Sequence, residues 1–153
     1  MAGSRVSRKP GEKGQAIMNA SDHTDNMNDA RIRNTINGYS NNGQLACSRA
    51  FEAAGALGTS PLVIGRYADE MGLKLVSCQL GLFGYRPEKK IVKPAHPVNM
   101  RLAAAIEQNL SGGSLPCIAA FAIALNIGLK KMDVSGACEA LEIKIKPCQL
   151  GAF

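Results

Sequence analysis

The chain has no tryptophan, aromatic residues make up only 5% of its 153 positions, and it carries just two histidines. Without large rings, a core must be assembled mostly from Ala, Leu, Ile and Val. Alanine-rich contacts suit closely packed helices better than a β-sandwich. No apolar run approaches the ~20 residues that cross a bilayer, so no membrane is expected as a partner. The N-terminus lacks the charged, apolar and small-residue order of a secretory signal, which points to the cytoplasm. Thiols stay reduced there, so the five cysteines are not expected to pair as disulfides. Catalytic groupings are missing too. His23 and His96 lie in polar or proline-rich stretches, no Ser/His/Asp set or carboxylate pair stands out, and Gly112-Gly113 lacks the lysine of a phosphate-cradling loop. The expectation is a protein that is not an enzyme and holds no cofactor.

What the chain does have is a repeat. Residues 31–83 align on residues 101–153 at an offset of 70 with no gap, giving 15 identities in 53 positions. Chance at average residue usage gives about three. The matches include Ile36 with Ile106, Leu45 with Leu115, Cys47 with Cys117, Phe51 with Phe121 and Gly58 with Gly128. The block Cys78-Gln79-Leu80-Gly81 recurs whole as Cys148-Gln149-Leu150-Gly151, and Phe83 meets Phe153. Self-similarity of this kind is read before anything else, because it sets the architecture.

Four segments follow. Residues 1–28, rich in Ser, Asn, Asp, Gly and Lys, bury too little apolar surface to offset their ordering entropy and read as a disordered arm. Residues 29–83 form a first module, 84–98 a proline-rich basic linker, and 99–153 a second module. The net charge of +6 is concentrated between the copies. Residues 84–100 hold four basic groups and one acidic one, whereas residues 1–30 balance to zero.

Each module reads as mainly α, with three helices and a short closing strand. The first helix is expected over 29–40, capped by Asp29, with its twin running from a cap at Asn99 to a stop at Gly112-Gly113. The second is expected over 45–57 and 116–127, with Pro116 in the first turn, and a third follows Ser60-Pro61. Leu73-Lys74-Leu75-Val76 and Ile143-Lys144-Ile145-Lys146 alternate like strands.

Ala54, Gly58 and Ile64 stand four and six residues apart, and Ala124, Gly128 and Val134 repeat the spacing. This resembles the helix-turn-helix pattern of bacterial DNA-binding regulators, over about 20 residues in each copy. In that superfamily a small residue lets the helices approach, a glycine turns the chain, and a branched residue anchors the second helix. The resemblance implies two tandem three-helix helix-turn-helix modules. The strand after helix three stands where a winged-helix domain carries its wing; alternatively the two strands pair with each other. It also implies a transcriptional regulator that uses paired modules as an internal pseudo-dimer on double-stranded DNA, with its helices about 34 Å apart along the duplex.

On that reading the DNA contacts are Ser60 and Arg66 in the first copy, and Lys130, Lys131 and Ser135 in the second. Lys89, Lys90 and Lys93 of the linker would neutralise phosphates. Asp69, Glu70 and Glu139 weaken this surface, and apolar Leu62, Met132, Gly65 and Gly136 motivate the alternative of a protein-protein interaction module. The repeated cysteines, Cys47, Cys78, Cys117 and Cys148, suit either packing or a metal- or redox-responsive site. Their 31-residue spacing within a copy, without a close pair, favours packing, and Cys138 reads as core on helix three. The Cys-Gln-Leu-Gly block reads as a turn whose glutamine satisfies local backbone, or as the contact between the copies.

Overall fold

The computed structural model of the protein describes residues 27–153. The disordered-arm expectation falls almost wholly on residues 1–26, outside the described residues, while 27 and 28 already belong to a helix. The described chain is mainly helical with two short strands. Helix α1 covers 27–39. Strand β1 (Gln44–Ala46) leads directly into α2 (Cys47–Leu57), followed by α3 (Pro61–Glu70) and β2 (Lys74–Val76). After a long connection come α4 (Met100–Gln108), α5 (Cys117–Ile127) and α6 (Lys131–Ala140).

Local chemistry explains most of the boundaries. Asn99 caps α4 through its side chain, which accepts the Leu102 amide at 3.1 Å, as expected. Asp29 is not a cap. It lies inside α1, where Arg33 binds it at 2.8 Å and reaches Glu70 of α3 at 2.7 Å. Gly112-Gly113 does not stop α4, which ends at Gln108; it forms the tight turn between Ser111 and Ser114, matching Asn42-Gly43 between Asn41 and Gln44. Pro116 caps α5 rather than opening its first turn. Both α2 and α5 end on a left-handed glycine, Gly58 at φ 66 and Gly128 at φ 81. The next amide then bonds back to Ala54 or Ala124, at 3.0 and 2.9 Å, which turns the chain into the third helix.

The strand after helix three is neither a wing nor a partner for its twin. Strand β2 lies parallel to β1 of its own copy, with Leu45 opposite Leu75. Parallel pairing needs a crossover, and α2 with α3 supplies it. In the second copy the ladder shrinks to one bridge, Leu115 to Ile145, beyond which the Cys117 amide bonds to the Pro147 carbonyl at 3.1 Å.

The tails that follow these strands decide the architecture. Cys78 and Leu80, from the first copy, are buried in the core of the second among Ile106, Leu115, Ile123 and Val134. Cys148 and Leu150, from the second copy, are buried in the core of the first among Ile36, Leu45, Ala53 and Ile64. Each Cys-Gln-Leu-Gly block makes the same turn, with the cysteine amide on the phenylalanine carbonyl (Cys78 to Phe83, 3.1 Å; Cys148 to Phe153, 2.8 Å). The two readings of the block therefore hold together: it is a turn, and it joins the copies. The small Ala50, Ala53, Ala54 and Ala68 side chains leave the first core short of volume, and the incoming leucine fills it. This is the geometry of element exchange between protomers, realised within one chain. Phe83 and Phe153 meet edge to face at 5.8 Å, and Phe51 of α2 meets Phe121 of α5 at 5.3 Å, so matched residues touch at the junction of the two copies.

Candidate functional site

Part of the side of helix three that a DNA-reading helix would present receives the exchanged tail. Gly65 of α3 is buried, and a β-carbon built there would come within 1.8 Å of the Leu150 carbonyl oxygen. Its counterpart Ser135 is 0% exposed and donates its hydroxyl to the Leu80 carbonyl at 2.6 Å. Ser135 is therefore a structural residue that fixes the exchanged tail, and it cannot reach a base edge. Five consecutive residues of α6, Val134 to Cys138, are buried, because the tail covers one side and the connection between the copies covers another.

The remaining residues expected to bind DNA lie on α3, on α6 and in the connection between the copies. Ser60 and Lys130 are exposed at the N-caps of α3 and α6, and Arg66 is exposed midway along α3. Lys130 also opens α6, its amide donating to Asp133 at 3.0 Å. Lys131 lies over the Phe121 ring at 5.0 Å, and Lys90 pairs with Glu139 at 2.7 Å. Lys89 and Lys93 remain exposed.

The connection is not a free extended linker. Its Ile91 and Val92 amides bond to the Gly81 carbonyl, at 2.9 and 3.1 Å, and the Ala95 amide bonds to Gly136 at 3.0 Å. The Tyr85 hydroxyl donates to the Cys78 carbonyl, and burial pushes its ionisation upward.

The cysteines sit in the two exchanged cores. All five are free and buried. Burial pushes the Cys47 thiol upward, and Cys117 and Cys138 up to about 11. Gln79 and Gln149 each donate a side-chain amide to the sulfur that opens their own copy's second helix, Cys47 at 3.4 Å and Cys117 at 3.3 Å, rather than to turn backbone. Among the described residues no three His, Cys, Asp or Glu side chains are grouped to hold a metal ion. Thiols held protonated in apolar surroundings act as small core side chains.

Two surface features break the twofold match between the copies. The first is the outer face of α5. Ile118 is 65% and Leu125 82% exposed, with Ala122 exposed between them. The matching positions on α2 are Ser48, Glu52 and Gly55, also exposed. The second is a half-open cleft beside β2, walled by residues 84–89 and lined by Val76 and Ser77, where the second copy has Lys146 and Pro147. The folded geometry alone carries the functional reading, since no protein-family model, no curated protein and no solved structure matches the chain.

Proposed function

We propose that the chain is a protein-interaction module that engages a polypeptide partner through the outer face of α5. The observation that carries this is the apolar stripe Ile118, Ala122 and Leu125 on a helix whose repeat twin has Ser48, Glu52 and Gly55, and so no apolar side chain, at the same three exposed positions. A solvent-facing helix normally keeps polar residues outward, and α2 does so. Apolar groups at i, i+4 and i+7 form one continuous ridge, and the small Ala122 lets a facing helix approach closely. Fully burying an isoleucine or leucine is worth about 1.5–3 kcal/mol, so covering Ile118 and Leu125 would contribute a few kcal/mol of affinity. Duplex DNA is the weaker reading, because Gly65 and Ser135 lie beneath the exchanged tails.

The test compares the wild-type chain with Ile118→Glu and Leu125→Glu, and with Ser48→Glu on the matched face of α2 as control. Sedimentation velocity reads self-association, and crosslinking in source cells followed by mass spectrometry reads other partners. The expected result is a complex that survives Ser48→Glu and is lost with either α5 substitution. Identical assemblies in all four proteins would refute the reading. So would retardation of duplex DNA at ~50 mM salt that Lys130→Glu abolishes and Leu125→Glu leaves intact, which would restore DNA as the partner.

A further inference from the structure

The cleft beside β2 is a separate feature from the α5 stripe, and its chemistry points elsewhere. It encloses about 970 Å³. Its floor is apolar, from Leu75, Val76, Phe83 and Tyr85, and its rim carries Lys74, Arg86 and Lys89 with no carboxylate among the lining residues. That volume lies at the upper end of the range for small-molecule sites, which pair apolar walls with a few placed polar groups.

The wall is held in place by contacts that leave it little freedom. Gly84 has φ 84, and a β-carbon built there would lie 2.5 Å from the Ser77 nitrogen and 2.6 Å from the Val76 α-carbon. Ser77, a residue with a side chain, takes φ 54, a conformation costing on the order of 1 kcal/mol that persists only where surrounding structure enforces it. The Ser77 amide bonds to Gly84 at 3.2 Å, and the Tyr85 amide to Lys89 at 3.3 Å, which closes a turn carrying Arg86 and Lys89. Tyr85 is anchored underneath by its hydroxyl on Cys78. Two cations are thus presented from a closed turn over an apolar floor. In the second copy Val76-Ser77 is replaced by Lys146-Pro147, so the repeat frame folds without this arrangement.

We infer that this cleft binds a small amphipathic anion: an aromatic or aliphatic body seated on Leu75, Val76 and Phe83, with a carboxylate or phosphate held by Arg86, Lys89 and Lys74. Arginine offers a planar two-point contact to either anion, and the lysines add charge. A preformed wall limits the ordering cost of binding. The inference does not depend on the role assigned to α5.

The experiment is calorimetric titration of the full chain with 1-naphthyl phosphate, and with inorganic phosphate and neutral 1-naphthalenemethanol as half-ligands. The titrations are repeated on Arg86→Ala/Lys89→Ala, on Gly84→Ala, and on Lys130→Ala as a distant control, with circular dichroism checking that each variant folds. The expected result is saturable one-to-one binding of naphthyl phosphate that weakens at least about tenfold in the double variant and is unchanged in Lys130→Ala. Each half-ligand should bind at least about tenfold more weakly than the whole, since each uses only one part of the site. Absence of binding up to ~10 mM overturns the inference, as does equal affinity in the folded double variant. Inorganic phosphate binding as tightly as the naphthyl ester also overturns it, by showing a charge patch without an apolar subsite. Duplex DNA displacing the ester at lower concentration than phosphate, by a route lost in the double variant, overturns it in favour of a nucleic-acid contact.

Discussion

Replacing Gly65 by alanine sets two effects of opposite sign against each other. Glycine inside a helix is less favourable than alanine by about 0.8–1 kcal/mol, so on propensity alone the change stabilises α3. The new β-carbon, however, would stand 1.8 Å from the Leu150 carbonyl oxygen and 2.8 Å from its carbonyl carbon, and backbone cannot rotate out of the way as a side chain can. The second copy's tail must lift off. Leu150, 3% exposed, then leaves the first core together with Cys148. Removing a buried leucine costs about 2–5 kcal/mol, which exceeds the propensity gain, and the net expectation is destabilisation by about 1–4 kcal/mol. Gly55 supplies the internal control. It also lies within a helix, but is exposed with nothing within 4 Å of a built β-carbon, so Gly55→Ala should stabilise by up to about 1 kcal/mol. Urea unfolding followed by circular dichroism gives both values, compared at equal slope. Hydrogen exchange localises the effect, with residues 148–153 losing protection in Gly65→Ala alone. If Gly65→Ala is as stable as wild type with a protected tail, the exchanged docking described above is wrong.

Leu80→Ala should destabilise by about 2–5 kcal/mol, and the added hydrogen exchange should fall in α5 and α6 of the other copy rather than in α2 and α3, where Leu80 would pack if each module closed on itself. Ser135→Ala removes the donor to the buried Leu80 carbonyl and should cost about 1–3 kcal/mol in the same unfolding assay, more than an exposed Ser111→Ala. The thiols predict an alkaline limb. Cys117 and Cys138 ordinarily ionise near 9.0 but do so at about 11 in the folded chain, so between those values the unfolded state binds fewer protons. The contribution of these two thiols should be flat below about pH 9 and fall from about pH 9 to 11, at about 1.4 kcal/mol per pH unit for each fully contributing thiol. Cys117→Ala and Cys138→Ala should each flatten that slope, and native protein at pH 7 should resist a thiol reagent that labels all five cysteines once unfolded.

The tandem organisation was written in the chain at a level no tertiary contact could alter. Fifteen ungapped identities define two copies, and the spacing of Ala54, Gly58 and Ile64 with its repeat places a turn between helices two and three, where Gly58 and Gly128 take left-handed φ. Periodicity and capping residues also specify the α4 cap at Asn99 and the start of α3 at Pro61, because these depend on neighbours a few residues away. The exchange of tails is of another kind. A Leu that fills its own module's core and one that fills its twin's core have the same sequence pattern, since matched modules offer matched slots. Only the path of the chain after β2, turned by parallel pairing to β1, selects the partner. That choice buries Ser135 and Gly65, which a reading confined to one module leaves facing outward, and residues 90–95 of the connection lie against α6 where composition alone describes a solvated linker. The α5 stripe lay open in the sequence as Ile118, Ala122 and Leu125 against Ser48, Glu52 and Gly55. Its meaning waited on the fold, because an apolar position is informative only once it is known to face water.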